Sequence, residues 1–301
     1  MGCSILKKAV SNRQKNKEME PKQIKAILIA LAFALIISNV FGQTKPTSFQ
    51  VKITGKGKQA IIFIPGFACS GDVWNDTRST YEKNYTCYTL TMPGFAGAPA
   101  EAAPSFKGWE DEIAAYITQN KINNPIIIGH SMGGGLALAI AADYPNLPSK
   151  IIIVDALPCL AAVSNASFKS NPNNDCSAMV TRFTGLTADQ FLKMQQYTMP
   201  QLMDDTVHLK QVIQWSVASD KKTFEQMYCD FMNTDLRDKI STIKCPALVL
   251  LESSFTTIKP VVEGQYKGLT TAQLVYADKG KHFIMYDDTD WYNQQLAAFI
   301  K

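Results

Sequence analysis

The sequence predicts an α/β protein, a mostly parallel twisted sheet flanked by helices with a helical cap inserted near its carboxyl edge. Three observations predict it. Apolar runs that read as buried on both faces alternate with helical patterns, as in a parallel sheet covered by helices. One run, Ile126-Ile127-Ile128, leads into Gly129-His130-Ser131-Met132-Gly133, a serine flanked by glycines between a strand and a helix. Residues 156–244 then break the rhythm, with helical patterns and no convincing strand. The 301 residues are 46% hydrophobic and 19% charged, which excludes a disordered or collagen-like chain and permits a sizeable core.

The elements follow in chain order. Phe49, Val51 and Ile53 alternate as a strand closed by Gly55-Lys56-Gly57. Continuous apolar strands are expected at 60–64, before Pro65-Gly66, and at 85–91, before Met92-Pro93-Gly94. Trp109, Ile113, Tyr116 and Ile117 form one helical stripe. Strands at 125–128 and 150–154 bracket a small-residue helix at 136–142. Within the insertion, 187–197, 206–217 and 222–232 have helical spacing. Strands at 247–251 and 273–276 and a helix at 291–300 complete the chain. The expected organisation is thus an N-terminal segment 1–42, a core from 43–155 and 245–301, and a cap from 156–244.

The N-terminal segment reads as a signal peptide. Seven Lys/Arg, from Lys7 to Lys25, precede the twelve apolar residues Ala26–Ile37, and a small residue, Gly42, stands before Gln43. Cleavage is expected near Gly42. The apolar run falls short of the roughly 20 residues of a spanning helix. An uncleaved anchor extended through Phe41 is the alternative, and is the one route by which a membrane enters the reading. Export, to a periplasm or the exterior, is therefore expected. The formal charge of +4 is concentrated here: beyond residue 42 stand 23 basic and 24 acidic residues. The body of the protein carries no basic footprint for nucleic acid. Six cysteines lie beyond this segment, and an even number in an exported chain permits disulfides. A bridge among Cys159, Cys176 and Cys229 is favoured because they share the insertion, whereas Cys245 reads as a buried thiol. No Cys-x-x-Cys or phosphate-binding motif occurs, and no metal or cofactor is expected.

Gly129-His130-Ser131-Met132-Gly133 carries the chemistry. A tight strand-to-helix turn lifts a serine hydroxyl above the sheet, and only small residues fit two places either side of it. Such a hydroxyl needs a base. His282 lies just after the last strand and C-terminal to Ser131, which suits that role. His130 is read as shaping the turn and His208 as a solvated cap residue. The third member orients the imidazole and stabilises its charged form. A Gly-x-x-Asp turn after strand 247–251 is its usual source, but Leu251-Glu252-Ser253-Ser254-Phe255 puts Phe255 where the Asp would fall. Asp155, ending strand 150–154, is favoured, with Glu252 open as the alternative. Two backbone N–H groups should face the developing oxyanion: Met132, next after the serine, and Phe67, in the loop after strand 60–64.

These residues resemble the α/β-hydrolase superfamily over 49–301. The resemblance rests on Ile64-Pro65-Gly66-Phe67, Met92-Pro93-Gly94-Phe95, Gly129-His130-Ser131-Met132-Gly133-Gly134, Asp235-Leu236-Arg237 before Cys245-Pro246, and His282-Phe283. It implies an eight-stranded sheet and a Ser–acid–His triad, although the chain is short of N-terminal residues for eight strands. Some relatives, haloalkane dehalogenases among them, carry the acid after the strand that follows the elbow, where Asp155 stands. Their nucleophile is an Asp, so Ser131 argues against dehalogenase or epoxide hydrolase chemistry. The resemblance implies a serine hydrolase, and together with the N-terminal segment the expectation is an exported one acting on carboxylic esters. Other acyl bonds (lactone, thioester, amide or carbon–carbon) and a non-catalytic binding homologue are the alternatives. Met and aromatic side chains crowd the insertion, suiting a small apolar acyl ester as substrate. Phe67 and Trp74, near the oxyanion loop, are the expected substrate-binding residues.

Overall fold

The structure is a computed structural model and describes residues 47–301. The signal-peptide reading falls on residues outside that range. Seven strands form one sheet in the order β1-β3-β2-β4-β5-β6-β7. They are β1 (Gln50–Thr54), β2 (Gln59–Ile64), β3 (Tyr85–Thr91), β4 (Ile126–His130), β5 (Lys150–Val154), β6 (Ala247–Leu251) and β7 (Ala272–Tyr276). Every neighbouring pair is parallel except β1 with β3. The implied eighth strand is thus not present among the described residues.

Period-two alternation explains why the central strands read as unbroken apolar runs. Ile62, Ile64, Ile127, Ile151, Ile153 and Val249 face one core. Ile61, Phe63, Ile126, Ile128, Ile152 and Val154 face the other. Each face is closed by helices, so neither alternate side chain needs to be polar. The first core packs α2 (Phe106–Gln119) and α3 (Met132–Asp143) through Trp109, Ile113, Leu136 and Ile140. Tyr292, Leu296 and Ile300 of α10 (Thr289–Ile300) close the second. Burying each such aliphatic side chain contributes about 1.5–3 kcal/mol. Helix α3 begins at Met132 rather than Leu136. Three successive glycines read as a turn because glycine weakens a helix, yet here they let the helix start against the sheet.

The insertion folds as four helices: α4 (Ser177–Thr184), α5 (Ala188–Leu202), α6 (Thr206–Ala218) and α7 (Lys221–Met232). Side-chain caps explain where the last three start: Thr187, Asp205 and Asp220 each accept from a backbone N–H of the first turn. A disulfide between Cys176 and Cys229 ties the start of α4 to α7. The other four described cysteines, Cys69, Cys87, Cys159 and Cys245, are buried thiols. The cap is pinned to the sheet's carboxyl edge by main-chain bonds. Asp220 N–H donates to Gly94 O at 2.7 Å, and Phe283 N–H donates to Leu202 O at 3.3 Å. Smaller helices α1 (Asn75–Tyr81) and α8 (Lys259–Tyr266) connect β2 to β3 and β6 to β7, and α9 (Ile284–Asp287) leads from β7 to α10. No helix among the described residues is long and apolar enough to cross a membrane.

Candidate active site

Strand β4 ends in a strained turn. Ser131 has φ +52° and ψ −122°, outside the helix that it opens. Contacts on both sides explain the glycines. A Cβ at Gly129 would stand 2.1 Å from Gly133 O, and one at Gly133 would stand 2.4 Å from Ile64 O. Ser131 N–H holds the turn to the sheet by donating to Val154 O at 2.9 Å. The N-terminus of α3 lies directly beneath the hydroxyl, with its positive dipole end toward the site.

Asp155 follows β5 in a left-handed conformation, φ +49°. Its N–H donates to Leu250 O at 2.7 Å, which anchors the turn to β6. Its carboxylate is buried and doubly engaged. Oδ2 lies 2.6 Å from His282 Nδ1, and Oδ1 accepts the Glu252 N–H at 2.7 Å. An imidazole that donates from Nδ1 keeps Nε2 as its acceptor. Burial pushes His282 down, but the Asp155 hydrogen bond and charge, with a smaller contribution from Glu252, outweigh it, so His282 lies above the ordinary 6.5. Glu252 therefore meets Asp155 through its backbone. Its side chain accepts from Ser254 Oγ, and burial, followed by the Asp155 charge, raises its pKa.

Ser131, Asp155, Glu252 and His282 all line one cavity of about 430 Å³. Its floor includes Phe67, Ala68 and Cys69, and its roof comes from the cap: Met199 and Leu202 of α5, Val212 of α6, Tyr228 and Phe231 of α7. The loop after β2 passes close to the serine. A Cβ on Gly66 would lie 3.3 Å from Ser131 Cβ and 2.6 Å from His130 Nδ1. Neither the Phe67 N–H nor the Met132 N–H is among the turn and loop bonds to backbone carbonyls of the described residues. Ser131 Oγ makes no hydrogen bond to His282 here, and bonds of this kind commonly tighten with substrate in place.

A model of the α/β hydrolase family matches residues 61–295. The chain belongs to the α/β hydrolase family. Among curated proteins this hydrolase is similar to the pimeloyl-[acyl-carrier protein] methyl ester esterase of Vibrio cholerae, 22% identical over 82% of this chain and 96% of that one. It is similar also to the enzyme of that name from Proteus mirabilis, 24% identical over 65% of this chain and 74% of that one. Among solved structures, an enol-lactonase from Burkholderia xenovorans superposes with a TM-score of 0.69 at 14% identity, covering 84% of this chain and 96% of that one. An esterase from Exiguobacterium antarcticum gives 0.69 at 16%, covering 84% and 95%.

Three side chains of this α/β hydrolase stand where sequence reasoning did not put them. Trp74, expected to bind substrate, is fully buried and absent from the cavity wall. It sits in a one-turn 3-10 helix, Gly71–Trp74, that turns the indole into the core beside Phe63, 5.6 Å away. His208, expected to be solvated, stacks on Tyr286 at 3.9 Å and bonds Asp205 at 2.9 Å, joining α6 of the cap to α9 of the core. His130 does more than shape the turn. Its Nε2 lies 2.9 Å from the His282 carbonyl oxygen, to which it donates. Burial and the adjacent His282 hold His130 well below the ordinary imidazole value, against the raising effect of that bond. The partners are 152 residues apart in sequence, and no local pattern signals the pair. Phe67 does line the cavity, packed edge-on against Phe95 at 5.1 Å and Phe224 at 4.5 Å.

Proposed function

We propose that this α/β hydrolase is an exported serine hydrolase that cleaves carboxylic esters through an acyl-enzyme on Ser131. The observation that carries the reading is the 2.6 Å Asp155–His282 pair opening onto the cavity that Ser131 lines. Ser131 Oγ attacks the ester carbonyl and gives its proton to His282 Nε2. Asp155 stabilises the resulting imidazolium. The oxyanion accepts from the Phe67 and Met132 N–H groups. His282 then protonates the leaving alcohol as the carbon–oxygen bond breaks. Water enters, loses a proton to His282 and attacks the acyl carbon. Ser131 leaves with that proton, and the carboxylic acid is released.

The small-molecule ester as substrate is supported by the esterase names of the relatives and by a largely apolar cavity. Export is supported by the basic and apolar pattern before Gly42 and by the Cys176–Cys229 bridge, a bond suited to an oxidising compartment. Hydrolysis of p-nitrophenyl esters from acetyl to long acyl, measured beside Ser131→Ala, tests the chemistry. Turnover should disappear in the variant, and the chain-length optimum should match the cavity. Unchanged turnover in Ser131→Ala would sink the acyl-enzyme. N-terminal sequencing of the protein recovered outside the cytoplasm tests export, with a start near Gln43 expected.

A further inference from the structure

Glu252 is a carboxylate on the cavity wall that the proposed mechanism does not use. Its backbone is pinned at the end of β6 by the bond from Glu252 N–H to Asp155, which fixes the point from which the side chain starts. Ser254 Oγ donates to Oε1, and Oε2 has no protein partner among the described residues. No Lys or Arg among the described residues lines the cavity. The neighbouring Asp155 charge is already met by His282 and by a backbone N–H, whereas the Glu252 charge is met by one hydroxyl. Aromatic side chains line much of the same cavity: Phe67, Tyr228, Phe231, Phe255 and Phe283. Ring faces attract cations, and a carboxylate among apolar walls acts through a lower dielectric than water.

We propose that Glu252 sets substrate class: the site favours esters bearing a cationic or hydrogen-bond-donating group and rejects esters bearing a free carboxylate. This deepens the ester-hydrolase reading and rests on it. A substrate ammonium would take the open Oε2 and lie against the rings. A substrate carboxylate would enter a cavity lined, among the described residues, by no Lys or Arg and by two carboxylates, Asp155 and Glu252.

Two matched series test the proposal, because the charge can sit on either side of the ester. On the acyl side, the p-nitrophenyl ester of 6-(trimethylammonio)hexanoate is compared with that of its neutral isostere 7,7-dimethyloctanoate and with the adipate monoester. On the alcohol side, butyrylcholine is compared with 3,3-dimethylbutyl butyrate. In at least one series kcat/KM should favour the cation by about fivefold or more, the scale of one exposed charge pair. The adipate monoester should be slower than the neutral ester. In Glu252→Gln the cation-to-neutral ratio should fall toward one and the adipate penalty should shrink. Protection of Ser131 from a fluorophosphonate probe by hexyltrimethylammonium, compared with hexanoate, reads the same preference without ester turnover. Charge-blind kinetics and protection in the wild type, or ratios unmoved by Glu252→Gln, would overturn the proposal. So would loss of all ester hydrolysis in Glu252→Gln, which would place Glu252 among the groups that serve His282. Ester hydrolysis that survives Ser131→Ala would instead break the underlying reading, which separates the two failures.

Discussion

Asp155→Asn is the most discriminating single change, because the structure dictates which way the new amide must face. The Glu252 N–H can only donate, and it points at Oδ1 from 2.7 Å. The asparagine carbonyl must therefore stay on that side, and its NH₂ group must face His282 Nδ1, now 2.6 Å from Oδ2. A donor there forces Nδ1 to accept, and the imidazole proton moves to Nε2. Nε2 then cannot take the Ser131 proton. The backbone should tolerate the change, since Asp155 has φ +49° and asparagine is among the residues that enter the left-handed region most readily. An imidazole held in the wrong tautomer costs a triad about 10⁴-fold in kcat, equivalent to about 5.5 kcal/mol of transition-state stabilisation. The assay is kcat and KM on a short p-nitrophenyl ester, with a thermal melt to establish that the variant is folded. A folded variant within tenfold of wild type would refute the tautomer argument and Asp155 as the acid. Glu252→Gln serves as the companion, and a 10⁴-fold loss there would move the acid to β6.

Three further outcomes follow from the same geometry. His130→Leu removes the donor to the His282 carbonyl and should lower kcat by roughly tenfold to a hundredfold with KM little changed, as small displacements of a base do; His130→Gln, whose amide nitrogen reaches a similar point, should recover most of the loss, and failure of that rescue would make His130 a packing residue. His282 works as a base only when neutral and lies above 6.5 because Asp155 outweighs its burial, so kcat/KM should rise with pH through a midpoint above 6.5; a midpoint below that value would contradict the assigned pair. Replacing Cys176 and Cys229 together by serine opens a bridge across 53 residues and should cost about 2–4 kcal/mol in urea unfolding, an effect that reductant should reproduce in the wild type and that is absent if the bridge does not form.

What the sequence displays is what burial writes into it. Strands β4, β5 and β6 face helices on both sides, so Ile126–Ile128, Ile151–Val154 and Ala247–Leu251 are apolar without interruption. Helix α4 spans only eight residues with none fully buried, so its apolar side chains Met179, Val180 and Phe183 are too few to establish a helical period. Trp74 was misplaced because closeness in sequence to the oxyanion loop does not say which face of the sheet a turn presents. Ser131 and His282 were legible because a strained elbow and a loop after the last strand leave local marks. The His130–His282 contact leaves none, since it depends on how two distant strand ends meet.

The placement of the acid and the open carboxylate in the cavity are two consequences of one displacement. Strand β5 lies between β4 and β6, so a side chain at its end sits beside the serine's strand and still reaches the histidine that follows β7. Once Asp155 occupies that point, the end of β6 has only to close the acid's second oxygen, and a backbone N–H does so. A side chain there is then released from serving the histidine. A small residue would have left the wall neutral. Glutamate places a carboxylate on a wall that, among the described residues, no Lys or Arg lines. Glu252 is half-buried there, and that burial, followed by the Asp155 charge, raises its pKa. The arrangement is better accounted for by a substrate that supplies the missing donor than by packing, because an apolar side chain at 252 would have left both Asp155 bonds intact.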